Sequence, residues 1–306
     1  MVTQQNLAFL GLGQMGAPIA RLLLTNGHNV TLWNRSREKA ESIASRKARV
    51  ASSLHEAVAN ADIVFTMLTD DAATESVFFG DGKNTGDSPG FLAAMRPDAI
   101  HVTLSTLSVA LARRITAAHQ ERGQHHVGAP VFGRPAVAEA GKLWIVASGE
   151  DAPLATVRPL LESVSRGLTI VSREPWQAHA LKLGGNLMIT SMNQTLSEAF
   201  VYAESQGIDP ALFHQTINSA LFQSQLYENY GKTILNPPQQ PGATVSLGIK
   251  DTRLVREAAA DAGIHMRLAD YFADVLNRAK QAGFADEDWA VGQYRIAQSD
   301  APLHRE

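Results

Sequence analysis

Short apolar segments alternate with longer amphipathic ones throughout the first 172 residues of the chain. Nearly continuous apolar segments of strand length indicate buried strands, and the amphipathic segments between them indicate helices that cover both faces of a parallel sheet. This pattern predicts an α/β fold for this half of the chain. The predicted strands are Leu7–Gly11, Val30–Asn34, Asp62–Leu68, Ala99–Ser105, His125–Val131, Lys142–Ser148 and a last strand that ends near Ser172.

The second half of the chain has a different pattern, since no convincing strand follows Trp176. Apolar residues at helical spacing predict one helix of roughly 30 residues that ends near Gly207. Asp209 and Pro210 predict the cap and the first position of the next helix. We therefore predict an α/β domain followed by an all-α domain, with the long helix linking them. The predicted bounds are residues 1–172 and residues 173–306.

Composition and charge exclude several classes of function. The formal net charge is −3 and the Lys and Arg residues are dispersed, so nothing indicates a basic surface for a nucleic acid. The absence of cysteine excludes disulfides, thiolate nucleophiles and iron–sulfur ligation, and it fits a reducing cytoplasm. No apolar segment is long enough to span a bilayer. We expect a cytoplasmic protein with no nucleic-acid, membrane or metal partner.

A glycine-rich loop, GLGQMG, follows the first predicted strand and opens the first predicted helix. Gly11 permits a tight turn, Gly13 lets the backbone approach a pyrophosphate, and Gly16 allows close packing of helix on strand. The helix N-terminus adds unpaired N–H groups and a positive dipole end. The alternative is a glycine-rich turn without a ligand, but the strand–loop–helix context favours a Rossmann dinucleotide-binding domain. The residues of this loop predicted to bind the cofactor are Gly11, Leu12, Gly13, Gln14, Met15 and Gly16.

The end of the second predicted strand indicates which dinucleotide is bound. NAD sites usually carry Asp or Glu here, and the carboxylate accepts a hydrogen bond from the ribose 2′-OH. This chain has Asn34 instead, followed by Arg35, Ser36 and Arg37. A carboxylate repels a 2′-phosphate whereas a guanidinium binds it, so NADP(H) is favoured over NAD(H). The alternative is a solvated basic helix start, although cations are disfavoured at a helix N-terminus.

Lys182 and Asn186 lie near the start of the long predicted helix, in a segment of apolar and small residues. Burial lowers the pKa of a lysine and makes it a proton donor or acceptor near neutral pH. Residues four apart share a helix face, so the two side chains can converge on one small ligand. The alternative is a lysine whose ammonium reaches solvent at a domain boundary. A catalytic lysine is favoured because ligands often bind between domains, and this helix begins where the nucleotide domain ends.

Five segments in register resemble the β-hydroxyacid dehydrogenase family over nearly the whole chain. The opening segment through Arg35 looks like its cofactor segment, and TLSTLS resembles its Ser-Thr motif beside the nicotinamide. GAPVFGRPAVAEAGKL is similar to its substrate-binding segment, and LKLGGN aligns Lys182 and Asn186 with its catalytic lysine and asparagine. IKDTRLV resembles its Lys-Asp motif near the cofactor. The resemblance implies a dehydrogenase that transfers hydride between NADP(H) and a small aldehyde, 2-oxo acid or 3-hydroxy acid.

The resemblance also implies roles for the two residues of the long helix. Lys182 would be the general acid in carbonyl reduction and the base in alcohol oxidation. Hydride that arrives at a carbonyl carbon leaves negative charge on the oxygen, and an ammonium within reach neutralises it. Asn186 would orient the substrate or the lysine.

Further site residues follow from the same resemblance. Ser105 would contact substrate or nicotinamide, and Thr106 would line the cofactor pocket. Lys250 and Asp251 would close over the cofactor or fix the helix that does, and the alternative for this pair is an exposed charged pair. We also assign Met67, Leu68 and Lys250 to cofactor binding, and Ser105, Phe132, Gly133 and Arg134 to substrate binding.

The substrate-binding segment departs from the family's common Asp-Ala-Pro-Val-Ser-Gly-Gly. This chain has Gly128 for the Asp, Phe132 for the Ser and Arg134 for the last Gly. Phe132 removes a hydroxyl that normally faces a small carboxylate, and Arg134 either replaces it as a carboxylate binder or faces solvent. The family's glycines before the catalytic lysine are also absent, with Trp176 and Ala178 near those positions. These changes leave the identity of the substrate open.

The residue at position 182 also bears on two other possible functions. Imine reductases share this architecture but usually carry Asp or Tyr at the position of Lys182, so the lysine favours carbonyl chemistry. The alternatives are an imine reductase-like enzyme and a nucleotide-binding protein that has lost catalysis.

The long helix exposes much apolar area if left alone, so we expect a homodimer with C-terminal helices packed across subunits. The aromatic residues expected in the core or interface rather than in a pocket are Trp176, Phe222, Tyr227 and Tyr230.

Overall fold

The computed structural model describes residues 5–80 and 90–301. They divide into two compact units, and the division falls between Lys182 and Leu183. The strands are β1 (Asn6–Leu10), β2 (Asn29–Trp33), β3 (Ala48–Val50), β4 (Ile63–Thr66), β5 (Ile100–Thr103), β6 (His125–Gly128), β7 (Val131–Phe132), β8 (Leu143–Ser148) and β9 (Ser165–Ser172). The helices are α1 (Gly16–Thr25), α2 (Arg37–Glu41), α3 (Leu54–Val58), α4 (Asp71–Phe79), α5 (Val109–Gln120), α6 (Pro135–Glu139), α7 (Asp151–Ser163), α8 (Pro175–Ser205), α9 (Pro210–Ala220), α10 (Gln225–Leu235), α11 (Val245–Asp261), α12 (Arg267–Gln281) and α13 (Trp289–Asp300), with a 3-10 helix at Phe91–Ala94.

The first unit is built around one sheet, in the order β3-β2-β1-β4-β5-β6-β8-β7, and β9 also pairs with β8. The strands from β3 to β6 are parallel, as predicted. The prediction of a parallel sheet does not extend to β8, which runs antiparallel to β6 and β7. Only the short α6 segment separates β7 from β8, and such a short connection suits antiparallel neighbours rather than a parallel crossover.

Side chains of β1 show how the sheet is covered on both faces. Leu7 and Phe9 belong to one apolar cluster, which includes residues of α1 and α7. Ala8 and Leu10 belong to the other cluster, which includes residues of α3, α4 and α5. Successive side chains of a strand point to opposite faces, so a strand buried on both sides is apolar throughout. The α/β prediction for this part of the chain is therefore confirmed.

The long helix, α8, has 31 residues and continues from the first unit into the second. It ends at Ser205, near Gly207 as predicted. Gly207 has a φ of 72°, and the Ile208 N–H donates to the Ala203 carbonyl at 2.9 Å. Asp209 caps α9 by accepting a hydrogen bond from the Ala211 N–H at 3.1 Å. No helix of the described ranges is both long and apolar enough to cross a membrane.

The second unit is all-α over its described residues, as predicted. Its core joins residues of α8 such as Phe200 to Leu276 of α12 and Trp289 of α13. Two of its helices, α10 and α13, were not singled out from the sequence. Tyr230 of α10 is buried in this core, which is the place expected for it.

Candidate active site

The carboxyl ends of parallel strands place the predicted cofactor residues side by side in the first unit. β1 pairs with β2 on one side and with β4 on the other, and β4 pairs with β5. Strand order therefore reverses between β1 and β4, and open α/β sheets bind ligands at such a switch point. Gly11, Asn34 and Met67 follow the ends of β1, β2 and β4, and Ser105 lies two residues beyond β5.

The three glycines of the loop after β1 differ in the space around them. Gly11 has a φ of 95°, and a Cβ there would lie 2.3 Å from the Met67 carbonyl oxygen. A Cβ on Gly16 would lie 2.0 Å from the Gly11 carbonyl oxygen, whereas nothing lies within 4 Å of the Cβ position of Gly13. No side chain of the described residues caps α1. The open space at Gly13 and the uncapped helix start fit the pyrophosphate of a dinucleotide.

Asn34 has a structural role that its position in the sequence did not reveal. Its Oδ1 accepts a hydrogen bond from the Leu12 N–H at 2.9 Å, and its Nδ2 donates to the Ser36 carbonyl at 2.9 Å. The carboxamide needs both its acceptor and its donor for this arrangement. Asn34 therefore ties the glycine loop to the loop after β2.

The two arginines after β2 have different surroundings. Arg37 forms an ion pair with Glu41, one helical turn later, at 2.7 Å between Nε and Oε1. Arg35 is exposed and forms no hydrogen bond or ion pair with any residue in the described ranges. Arg37 therefore fits the alternative interpretation, in which the basic residues are a solvated helix start. Arg35 remains as the guanidinium that an anion could contact.

Ser105 connects two neighbouring strand ends. Its Oγ accepts a hydrogen bond from the Leu68 N–H at 2.7 Å, and the residue is buried. Because the oxygen accepts from backbone, the hydroxyl hydrogen remains able to donate. Thr106, the next residue, is half-buried. The structure thus brings together Leu68 and Ser105, which the sequence assigned to cofactor and to substrate.

Lys182 and Phe132 form a contact that the sequence did not predict, although both residues were predicted to belong to the site. Lys182 is buried, with 7% of its surface exposed. Its Nζ lies 4.0 Å from the centroid of the Phe132 ring, which is the geometry of a cation–π contact. The aromatic ring thus lies against the ammonium.

The two residues after Phe132 complete the predicted substrate segment. Gly133 has a φ of 142°, and a Cβ there would lie 2.6 Å from the side chain of Leu143, so this position requires glycine. Arg134 precedes the first residue of α6 and is half-buried. The chain therefore needs glycine at position 133, although the residues on either side of it depart from the family's pattern.

In the second unit, Asn186 pairs with a buried carboxylate. Its Nδ2 donates to Asp251 Oδ2 at 2.6 Å, and Lys250 Nζ is 3.1 Å from Asp251 Oδ1. The side chains of Lys250 and Asp251 are 13% and 6% exposed, so the alternative of an exposed charged pair is wrong. Asp251 holds the amide nitrogen of Asn186 and thereby orients its oxygen. The Lys-Asp motif pointed to this residue, but its burial and its partner could not be inferred from the sequence.

Four buried histidines of the first unit form a cluster that was missed. They form hydrogen bonds with one another or with buried Thr and Gln side chains. Burial lowers the pKa of each, to about 4 at His119 and to about 3 at His179. The four lie in separate segments of the sequence, so no motif marked the group. The four residues are His101, His119, His126 and His179.

Two family models together match most of the chain. Residues 6–172 match the NAD binding domain of 6-phosphogluconate dehydrogenase, and residues 177–292 match the NAD-binding model of NADP-dependent 3-hydroxyisobutyrate dehydrogenase. The chain belongs to the β-hydroxyacid dehydrogenase family. The protein is therefore an oxidoreductase that acts on a CH–OH group with a nicotinamide dinucleotide cofactor.

Similar proteins cover nearly the full length of this chain. An uncharacterized oxidoreductase of Bacillus subtilis (strain 168) is 37% identical over 286 residues, which are 93% of this chain and 97% of that protein. A probable 3-hydroxyisobutyrate dehydrogenase of Mycobacterium tuberculosis is 30% identical over 303 residues, which are 96% of this chain and 99% of that protein. A solved structure of Mycobacterium tuberculosis 3-hydroxyisobutyrate dehydrogenase with L-serine has a TM-score of 0.83 at 28% identity, with 96% and 99% of the two chains covered.

The relation to imine reductases is confirmed at the level of the fold. The solved structure of Streptomyces aurantiacus imine reductase has a TM-score of 0.62 at 21% identity, and 94% of this chain and 98% of that chain are covered. A likeness at this identity concerns the architecture and leaves the reaction open.

Proposed function

We propose that this β-hydroxyacid dehydrogenase reduces a small aldehyde or 2-oxo acid with NADPH, and that Lys182 is its general acid. The buried ammonium of Lys182 is the observation that carries this proposal. Its Nζ lies beside the Phe132 ring in surroundings that exclude most water, where a proton donor acts strongly on a nearby oxygen. The family gives carbonyl reduction as the task.

The chemistry of the reduction assigns a proton to Lys182. A nicotinamide dinucleotide held by the glycine loop and the loop after β2 would supply the hydride to the carbonyl carbon. As charge develops on the carbonyl oxygen, Lys182 Nζ donates a proton to that oxygen, and the resulting neutral amine regains a proton from solvent. In alcohol oxidation the same nitrogen accepts the hydroxyl proton. The Ser105 hydroxyl, whose oxygen already accepts from Leu68, donates a second hydrogen bond to the substrate oxygen.

Asn186 lies one helical turn after Lys182 on α8. Since Asp251 accepts from its amide nitrogen, the amide oxygen is directed away from the carboxylate and can accept from a substrate hydroxyl or an ammonium. We propose that Asp251 fixes this orientation and that Lys250 balances its charge.

The proposed preference for NADPH rests on Arg35. A 2′-phosphate carries negative charge, Asn34 presents no carboxylate to repel it, and Arg35 has no partner among the described residues. The match of residues 177–292 to a model described as NADP-dependent supports the same preference.

Arg35→Ala should weaken NADPH binding by roughly tenfold and leave NADH binding unchanged, because it removes one charge-assisted contact with the 2′-phosphate. The dissociation constants can be measured by fluorescence titration of both cofactors. Arg37→Ala is the matched control, since Arg37 is already paired with Glu41. Equal losses for NADPH and NADH in Arg35→Ala would remove the basis for the preference.

Phe132 favours an aldehyde over a substrate that needs a carboxylate contact at this position. The Phe132 ring lies beside the Lys182 ammonium and provides no hydrogen-bond donor. A small aldehyde with an apolar substituent packs against the ring, whereas a carboxylate receives no hydrogen bond from it.

Phe132→Ser should raise kcat/KM for glyoxylate by roughly tenfold, because the new hydroxyl can donate to the carboxylate. The value for methylglyoxal should fall, since the apolar contact is lost. Phe132→Leu keeps an apolar side chain without a donor and separates the two effects. If Phe132→Ser and Phe132→Leu change both substrates alike, Phe132 does not determine specificity.

The test of the proposed function is a panel of initial rates. NADPH and NADH oxidation would be followed with glyoxylate, succinic semialdehyde, methylglyoxal and a cyclic imine, and NADP⁺ reduction with L-serine. Turnover of an aldehyde or oxo acid with NADPH is the expected result. Turnover of the imine alone would assign the enzyme to imine reduction. Cofactor binding without any turnover would support a binding protein that has lost catalysis.

A further inference from the structure

A buried hydrogen-bond chain joins the first turns of α8 to β5 and β6 within the first unit. His179 on α8 places Nε2 3.0 Å from Thr103 Oγ1 at the end of β5. The same oxygen is 3.0 Å from His126 Nε2 on β6. His126 Nδ1 is 2.8 Å from Thr116 Oγ1 on α5, and this hydroxyl is 2.8 Å from the Ala112 carbonyl oxygen. One unbroken series of polar groups therefore links four elements.

The carbonyl at the far end sets the direction of every bond in the chain. A carbonyl oxygen only accepts, so Thr116 donates to Ala112 and accepts from the Nδ1–H of His126. His126 Nε2 then accepts from Thr103, and Thr103 accepts from the Nε2–H of His179. This assignment leaves His179 Nδ1 without a proton. Nδ1 can then only accept a hydrogen bond, and no described residue donates one to it.

His179 is a fixed, neutral group. It is fully buried, and burial lowers its pKa to about 3 while the backbone of Ser105 acts in the opposite direction. An imidazole with such a pKa does not exchange protons usefully near neutral pH. The ring is therefore unsuited to act as acid or base, and its contribution is to hold the elements around it.

Gly128 lets the first turn of α8 approach the end of β6. A Cβ at this position would lie 2.2 Å from the Pro175 carbonyl oxygen and 3.0 Å from His179 Nε2. An aspartate, which the family commonly has here, would not fit beside the helix in this arrangement. The absence of a side chain at Gly128 therefore leaves the space in which the His179 ring packs.

We propose that His179 is a positioning residue for Lys182, three residues further along the same helix. Anchored to Thr103, its ring fixes the turn of α8 that carries the ammonium against the strand whose continuation carries Ser105. This inference rests on the proposed catalytic role of Lys182. The spacing of proton donor and substrate oxygen is sensitive, because a displacement of about 1 Å costs on the order of a hundredfold in rate.

The experiment compares two buried histidines under the same substitution. His179→Leu should lower kcat by roughly ten- to a hundredfold, with KM for the carbonyl substrate and the dissociation constant of NADPH unchanged. His119 is equally buried and hydrogen-bonded, to His101 and Gln124, but lies at the end of α5. His119→Leu should lower the melting temperature and leave kcat unchanged.

Two further variants keep the test decisive if His179→Leu folds poorly. His179→Gln retains a donor for Thr103 and should recover most of kcat, and Thr103→Val removes the hydroxyl with little change of volume and should lower kcat. If both leucine variants lose stability but keep kcat, His179 is only structural and the inference fails. If Lys182→Ala itself retains full activity, the proposed function fails instead.

Discussion

Lys182→Ala is expected to lower kcat for carbonyl reduction by roughly 10²–10⁴-fold, which is the usual contribution of a general acid. Without the ammonium, nothing at this position donates a proton to the developing oxyanion, so the loss falls on the chemical step. Binding of NADPH should persist, because the glycine loop and the loop after β2 are untouched. Steady-state rates and a fluorescence titration with NADPH measure the two quantities.

Controls separate the loss of the proton donor from a general effect of removing a lysine. Lys47→Ala removes an exposed lysine of the same unit, outside the segments assigned to the site, and should leave kcat unchanged. Lys182→Arg keeps the positive charge but cannot give up its proton near neutral pH, so it should restore little activity. Activity in Lys182→Ala close to that of the unmodified protein would mean that another group protonates the substrate.

Gly16→Ala is expected to destabilise the fold by about 3 kcal/mol, because the new methyl group would overlap the Gly11 carbonyl oxygen and backbone must move. Gly13→Ala should leave the free energy of unfolding nearly unchanged, since nothing lies within 4 Å of its Cβ position. It should instead weaken NADPH binding on the order of tenfold, because the methyl group occupies the space proposed for the pyrophosphate.

The two glycine variants are each other's control, since the substitution is the same and the positions are three residues apart. Denaturant unfolding gives the stability, and a fluorescence titration gives the affinity for NADPH. A Gly13→Ala protein that is stable and binds NADPH normally would show that the pyrophosphate does not approach the chain at Gly13. A Gly16→Ala protein of normal stability would contradict the close packing of α1 on β1.

Much of the fold could be predicted because its signals are local. The alternation of strands and helices, the cap of α9 at Asp209 and the end of α8 near Gly207 depend on residues close in sequence. β3 was missed because its three residues are too short to show a period. The antiparallel direction of β8 was not predicted, because strand direction depends on connection and pairing, which composition does not encode.

The candidate site was predictable in its residue types and less so in its contacts. The glycine loop, Lys182 and Asn186 stand in motifs whose spacing has a physical meaning. The hydrogen bond of Asn34 to Leu12 and the burial of Asp251 were not predictable, since each depends on where a distant loop or helix comes to lie. The histidine cluster had no local signal at all.

The sequence by itself determined the order of the elements, the glycine loop after β1 and the presence of one lysine in an apolar helix. These features depend on periodicity and turn chemistry, which act between near neighbours. Only the tertiary structure decided three contacts of the site. They are the Phe132 ring beside Lys182 Nζ, the hydrogen bond of His179 with Thr103 and the hydrogen bond of Asn186 with Asp251. Each of these contacts joins elements far apart in the chain, and their distances are set by strand register and helix packing, which no single segment specifies.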